Sequence, residues 1–201
     1  MHLRYVVALA VGMLAVLVAV IPSLASSETL ANARDATAIY TDPTTAVAGG
    51  YTLLTDAAGL ACIDMPGQGA MGVHYVNGTL VQSGTLDPAR PQALVYEVQS
   101  NGQVKLAAIE YVVFQSAWDA THKQAPTLFG QTFTLNPADN RFGLPAFYSL
   151  HAWIYKHNPS GTFASFNPEV RCRQNVPGVA SDGDAAAVAS AMVESDMGDM
   201  P

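Results

Sequence analysis

Three histidines and two glutamates are the side chains of this sequence best suited to metal or acid–base chemistry. They are His74, His151, His157, Glu97 and Glu110. Imidazole nitrogen and carboxylate oxygen together form the usual ligand set of protein-bound zinc, copper and non-haem iron. The sequence has no HxH or HExxH motif, so these ligands have to converge from separate elements. We select His74, Glu110 and His151 as candidate metal ligands, with Zn, Cu or Fe as the candidate cofactor.

The segment Leu150–His157 is predicted to be a β-strand that ends at Asn158-Pro159. Because side chains alternate along a strand, one face collects aromatic and imidazole groups, and the other is mostly aliphatic. The first face is either a pocket wall or a solvated sheet surface, and we expect Ser149 to face away from it. The residues of that face are His151, Trp153, Tyr155 and His157.

A β-hairpin is predicted between the strands Ala93–Gln99 and Gln103–Phe114, because Asn101-Gly102 between two β-rich runs is a strong hairpin signal. A two-residue turn would place Glu97 opposite Leu106 and Glu110 opposite Ala93, with both acids on one face. The acids would then lie about 13 Å apart along the sheet. A flat hairpin therefore does not bring both to one metal ion, although a bulge would shorten the gap.

His74 follows the glycine-rich segment Gly67–Gly72 and lies in a predicted strand, Gly72–Asn77. A Gly-x-Gly pattern is weak evidence for a phosphate site, because no helix start follows it. Glycines before a strand more often allow tight turns or a close backbone approach. The sequence also has no Gly-x-Ser-x-Gly elbow, so we assign no catalytic nucleophile.

Two helices are predicted before the strands. Glu28–Tyr40 has helical apolar spacing, and Asp42-Pro43 is a typical start for a second helix that ends at Gly49-Gly50. Helices followed by short strands predict an α+β fold with an antiparallel sheet, either strongly curled or barrel-like.

The two ends of the chain differ from its middle. Residues 1–25 combine one basic residue, an apolar run and small residues before Ser26, as in a cleavable signal peptide. Residues 26–177 suit one domain, and residues 178–201 form an acidic tail without Lys or Arg that we predict to be disordered. The location predicted is secreted or periplasmic, with no membrane anchor after cleavage. The net charge of −7 and the lack of a basic stripe argue against a nucleic-acid partner.

The sequence has two cysteines, Cys62 and Cys172. An exported protein meets an oxidising compartment, so we predict that they form a disulfide. Two buried free thiols are the alternative.

Several segments resemble a family of exported bacterial proteins of unassigned function. They are MGVHYVN (71–77), LDPARPQALVYE (86–97), LAAIEYVV (106–113), LFGQTF (128–133) and SLHAWIYKHNPSGTFASFNPEVRC (149–172). The resemblance covers most of residues 31–172, and its last segment is the most specific. It implies export, the Cys62–Cys172 pairing and a single domain, but no activity or cofactor. Asn77-Gly78 departs from the Asn-Pro expected there.

Three classes of function stay open. The first is an exported protein that binds a metal ion or small ligand in a pocket lined by His74, Tyr75, Glu97, Glu110 and Trp153. The second is a secreted enzyme that uses a Glu–His pair, with or without a metal. The third is a non-catalytic envelope domain whose aromatic residues bind a partner.

Overall fold

The computed structural model describes residues 23–172. Most of the predicted signal peptide and the whole acidic tail lie outside these residues, so both stay predictions. The helices are α1 (Ser23–Thr37), a 3₁₀-helix (Ala38–Thr41), α2 (Pro43–Ala48), α3 (Gly78–Gln82) and α4 (Gln115–Asp119). The strands are β1 (Thr52–Leu53), β2 (Cys62–Met65), β3 (Gly69–Val76), β4 (Ala93–Val98), β5 (Val104–Phe114), β6 (Thr127–Leu128), β7 (Gln131–Thr132), β8 (Thr134–Asn136) and β9 (Phe147–Ala152).

The start of α2 follows the sequence signal. The Asp42 carboxylate accepts a hydrogen bond from the Thr44 amide at 2.9 Å, and proline occupies the first turn. This confirms the predicted cap. The prediction that the helices precede the strands is not supported, because α3 and α4 lie between strands.

Seven strands form one antiparallel sheet in the order β1-β3-β4-β5-β9-β8, and β2 also pairs with β3. β6 and β7 form a separate small hairpin. The α+β prediction and the antiparallel sheet are thus confirmed. The sheet is open in the described part of the chain, so the barrel-like alternative is not supported.

The β4–β5 hairpin has a longer loop than predicted and a bulge, and their effects on the strand register cancel. The Gln99 amide donates to the Gln103 carbonyl, and the Gln99 carbonyl accepts from the Gly102 amide. The loop therefore has three residues and not the predicted two, with Gly102 at φ +80°. Tyr96 pairs with Leu106 but Val95 pairs with Ala108, which leaves Ala107 as the extra residue of a bulge.

Because the two shifts cancel, the strand pairing at the candidate site is the predicted one. Beyond the bulge, Glu110 lies opposite Ala93 as predicted. Before the bulge, Glu97 lies opposite Lys105, so the prediction that it opposes Leu106 is wrong.

The last strand is displaced from its predicted bounds. β9 covers Phe147–Ala152, whereas Leu150–His157 was predicted. After Ala152 the chain turns, and the amides of Tyr155 and Lys156 both donate to the carbonyl of Ala107, the bulge residue. The predicted alternation therefore stops after Ala152.

The two faces of the sheet carry different contents. One face packs its large apolar side chains, such as Tyr96, Ile109 and Tyr111, against α1 and α2. The opposite face carries a smaller apolar cluster of Val95, Ala108, Trp153, Val170, Ala70 and Ala107. We call this second surface the site face, because the candidate ligands lie on it.

Cys62 and Cys172 form a disulfide that joins β2 to the end of the described chain, with 5.6 Å between the Cα atoms. This confirms the predicted pairing and indicates an oxidising, extracytoplasmic environment. None of the helices within residues 23–172 has the length and hydropathy needed to span a bilayer.

Candidate functional site

Three separate strands bring the candidate metal ligands together on the site face. His74 lies on β3, Glu110 on β5 and His151 on β9. Glu110 and His151 are directly paired across β5 and β9, and His74 reaches them across β4, where its partner is Val95. Small neighbours on β4 and β5, Val95 and Ala108, leave room for the His74 ring to cross.

The three side chains are in mutual contact. The two Nε2 atoms of His74 and His151 are 3.2 Å apart. Glu110 places Oε2 at 3.5 Å from His74 Nε2 and Oε1 at 3.3 Å from His151 Nδ1. One ligand atom from each residue can be chosen so that all lie within 4.8 Å of one another.

Burial keeps this cluster close to neutrality. It lowers the pKa of His74 to about 4, against the opposing effect of Glu110, and it lowers the pKa of His151 to about 4. Burial also raises the pKa of Glu110, although His74 and a hydrogen bond with Ser149 act in the other direction. The shifts follow from the cost of placing charge where water is excluded.

Three protons satisfy the cluster without a metal. The His74 ring hydrogen-bonds the Gly72 backbone through Nδ1, because its Nε2 faces His151 and Glu110. One proton then joins the two Nε2 atoms, and one joins His151 Nδ1 to Glu110 Oε1. The set carries no net charge, and no buried side-chain nitrogen or oxygen in residues 29–172 lacks a partner.

Two of the distances between candidate ligand atoms match those of a transition-metal site, and the full set of three lies within 4.8 Å. Zn–N bonds of about 2.0–2.1 Å at tetrahedral angles place two ligand nitrogens about 3.3 Å apart. The Nε2–Nε2 distance is 3.2 Å and the His74 Nε2–Glu110 Oε2 distance is 3.5 Å. Metal binding would displace one proton from the cluster.

A cavity of about 210 Å³ opens on one side of the cluster. His74 and Glu110 line it, whereas His151 lies behind them and is 2% exposed. The remaining wall is mostly aliphatic and aromatic, with side chains that include Leu54, Val81, Val112, Phe114, Leu144 and Phe147. The cluster thus stands between the apolar packing around Trp153 and this cavity.

Ser149 and Asn136 are site residues that the sequence reasoning missed. The Ser149 hydroxyl accepts a hydrogen bond from Asn136 Nδ2 at 3.2 Å and interacts with Glu110. The expectation that Ser149 faces away from His151 is wrong, because residues two apart on a strand share a face. Asn136 gave no signal, since β8 has three residues.

Two of the sequence-selected residues lie away from the cluster. Tyr75 is on the opposite face of β3 and packs edge-on against Tyr96, with ring centroids 5.2 Å apart. Glu97 shares the site face but pairs with Lys156, its Oε2 lying 3.3 Å from Nζ. Neither residue lines the cavity.

The aromatic row predicted around His151 is divided by the end of β9. Trp153 packs beside His151, with centroids 6.4 Å apart, and its indole N–H donates to the Ala164 carbonyl. Tyr155 instead hydrogen-bonds Thr37 and the Arg34 carbonyl near α1, and His157 is exposed. Trp153 therefore supports the cluster from behind without lining the cavity.

An ion pair holds two loops of the cavity wall. Asp56 is buried and accepts hydrogen bonds from Arg141 at 2.7 and 3.2 Å. Arg141 precedes Phe142 and Leu144, and Asp56 follows Leu54; all three of these apolar residues line the cavity. The Ala57 amide also donates to the Arg141 carbonyl, so the two loops are joined through backbone and side chain.

Glycine at position 72 allows β3 to carry His74 this close to β4. Its φ is +101°, and an added Cβ would lie 2.7 Å from the Tyr96 carbonyl oxygen. The close backbone approach expected from the glycine-rich segment is therefore observed here.

The chain matches no protein family model, no curated protein and no solved structure. The resemblance to exported bacterial proteins stays a prediction, and function has to be argued from the site itself.

Proposed function

We propose that this exported protein binds a divalent transition-metal ion through His74, Glu110 and His151. The observation that carries the proposal is the convergence of two imidazoles and one carboxylate, all buried, from three strands. Groups of this kind are costly to bury together. A metal site gives a direct reason for placing them on one face of a sheet.

The site has the composition of an open metal centre. Three protein ligands leave at least one coordination position, as in zinc and non-haem iron sites that act on a bound molecule. The cavity borders His74 and Glu110, so the open position faces it. The proposed role is therefore binding of a small molecule at the metal, either for carriage or for metal-assisted catalysis.

The proposed compartment is the periplasm or the exterior. The Cys62–Cys172 disulfide supports it, together with the signal-like residues 1–25. No catalytic residue is assigned beyond the metal ligands.

Metal content and metal titration test the proposal. The purified protein, stripped with chelator and dialysed, should take up about one equivalent of Zn²⁺ or Co²⁺ by mass spectrometry, with a rise in melting temperature. Glu110→Gln, His74→Ala and His151→Ala should each weaken binding at least about tenfold, or 1.4 kcal/mol. Glu110→Gln is nearly isosteric, so it separates loss of a ligand from loss of packing.

Matched controls exist for both ligand types. His157→Ala removes an exposed histidine from the segment after β9, and Glu97→Gln removes a carboxylate from the same sheet face. Both should retain full metal uptake. Binding that survives Glu110→Gln and His151→Ala, or a wild-type protein that takes up none of Zn, Cu, Fe or Co, would refute the proposed centre.

The complete hydrogen-bonding of the metal-free cluster favours one second candidate. A neutral Glu–His–His set beside a cavity can accept or donate a proton to a bound molecule without a metal. A metal-free protein whose Glu110→Gln variant loses binding of a small ligand would support this reading over the first.

A further inference from the structure

We propose that the cavity beside the metal takes a small apolar monocarboxylate, bound to the metal through its carboxylate. This inference rests on the metal centre proposed above and names the class of its ligand. Charge, wall chemistry and size each contribute to it.

The charge of the loaded centre selects an anion. Two neutral imidazoles and one carboxylate compensate only one of the two charges of a divalent ion, which leaves a net charge of +1. Among the residues that line the cavity, Glu110 is the only acid, and none is Lys or Arg. An uncompensated charge beside an apolar wall is costly, so the centre favours a ligand with one negative charge.

The wall selects an apolar body for that anion. Away from His74 and Glu110, the cavity is bounded mainly by aliphatic and aromatic side chains from six parts of the chain. Val112 and Phe114 come from β5, Val81 from α3, and Leu144 from the loop before β9. A bare inorganic anion would leave this surface in contact with water.

The cavity volume limits the size of the ligand. An engineered apolar cavity of about 150 Å³ holds one benzene molecule. The cavity of about 210 Å³ is larger than that benzene-binding cavity, and the additional volume can hold a carboxylate group. A benzene-sized ring, or a chain of about six carbons, is therefore the expected upper limit for the enclosed part.

Two polar groups beside Glu110 suit a carboxylate as well. Ser149 and Asn136 line the cavity next to Glu110 and are joined to each other by a hydrogen bond. The Ser149 hydroxyl donates to Glu110, and Asn136 Nδ2 donates to Ser149 and to the Thr134 carbonyl. A ligand oxygen that does not bind the metal would accept from one of these groups in exchange for its present partner.

Calorimetric titration of the zinc-loaded protein tests the ligand class. Benzoate should bind at least about tenfold more tightly than acetate, which lacks the apolar body, and than benzyl alcohol, which lacks the charge. The chelator-stripped protein should bind benzoate at least about tenfold more weakly than the loaded protein. Equal affinity in any of these three comparisons would overturn the inference.

A pair of leucine variants locates the binding. Leu144→Trp places a larger side chain at the cavity wall and should abolish benzoate binding while zinc uptake stays stoichiometric. Leu135→Trp, at an exposed position on β8, should leave both unchanged. Benzoate binding that survives Leu144→Trp would place the ligand elsewhere and overturn the inference.

The measurements also separate the two proposals. Stoichiometric zinc with no benzoate binding overturns only the ligand class. Absence of uptake of all four metals, Zn, Cu, Fe and Co, overturns the metal centre and the inference that depends on it.

Discussion

The candidate site consists of groups that resist burial when each is alone. His74, Glu110 and His151 are at most 7% exposed, yet each meets the others through polar atoms. Their shifted pKa values all lie in the direction that removes charge. A neutral metal-free state and a metal-bound state with one proton fewer are both compatible with these contacts, so proton number and metal occupancy are coupled.

The stability of the metal-free protein should fall as the pH drops from about 6.5 toward 4. Burial lowers the pKa of His74 and His151 to about 4, so the folded protein keeps both neutral where the unfolded chain protonates them. The raised pKa of Glu110 acts oppositely above pH 4.5, but one carboxyl offsets only one of two histidines. The expected slope is about 1.4 kcal/mol per pH unit for one net proton. Urea unfolding at several pH values measures it.

Removing one histidine of the buried pair tests this pH effect. His151→Gln should flatten the pH profile, because one buried histidine and one buried carboxyl then remain and their effects oppose each other. A free energy of unfolding that stays constant or increases as the pH is lowered from 6.5 to 4.5 would contradict a neutral buried histidine pair.

At the scale of elements, short irregular segments decide where the site lies. The bulge at Ala107 shifts the β4–β5 pairing by one residue, so that Glu110 lies opposite Ala93. The Ala107 carbonyl also accepts hydrogen bonds from the amides of Tyr155 and Lys156, which follow β9. Leu54 and Leu144 lie in loops outside the strands. The ion pair between Asp56 and Arg141 holds these two loops together. The cavity wall therefore depends on loop contacts more than on the sheet.

Asp56→Asn should destabilise the protein by about 2–3 kcal/mol. Burial alone would raise the pKa of Asp56, but hydrogen bonds from Arg141, Leu60 and Ala58 outweigh it and the pKa is lowered. The asparagine variant loses the charge and turns an amide toward the guanidinium. Because the folded pKa is depressed, the stabilising effect of Asp56 is present above pH 3.8 and is lost as the pH falls below it.

Asp87→Asn is the matched control, because Asp87 is exposed and accepts a similar local bond from the Ala89 amide at 2.9 Å. It should cost less than about 0.5 kcal/mol. Urea unfolding of both variants at pH 7 measures the difference. Equal losses would show that the Asp56–Arg141 pair does not stabilise the loops.

At the scale of the whole molecule, the disulfide closes most of the described chain into one loop. Cys62 and Cys172 are 110 residues apart, and the segment between them contains all three candidate ligands. The bond also holds the end of the described chain beside Val73 and Val98.

The double variant Cys62→Ser/Cys172→Ser should lose about 4–5 kcal/mol of unfolding free energy, because cross-linking a loop of this length restricts the unfolded chain. Urea unfolding under non-reducing conditions measures the loss. Wild-type protein treated with reductant should show the same loss. A change below about 1 kcal/mol in both samples would contradict this role of the disulfide.

The sequence by itself determined the features that depend on local chemistry. The Asp42 cap, the strands β3, β4 and β5 near their observed positions, the disulfide and the three candidate ligands all follow from residue type and spacing. Only the tertiary structure decided that His74, Glu110 and His151 meet while Glu97 pairs with Lys156. The reason is the register of the β4–β5 hairpin. A three-residue loop and a bulge each shift the strand pairing by one residue, and the sequence alone does not show that both are present or that the two shifts cancel. Strand order, which sets β9 beside β5, likewise depends on contacts between segments far apart in the chain.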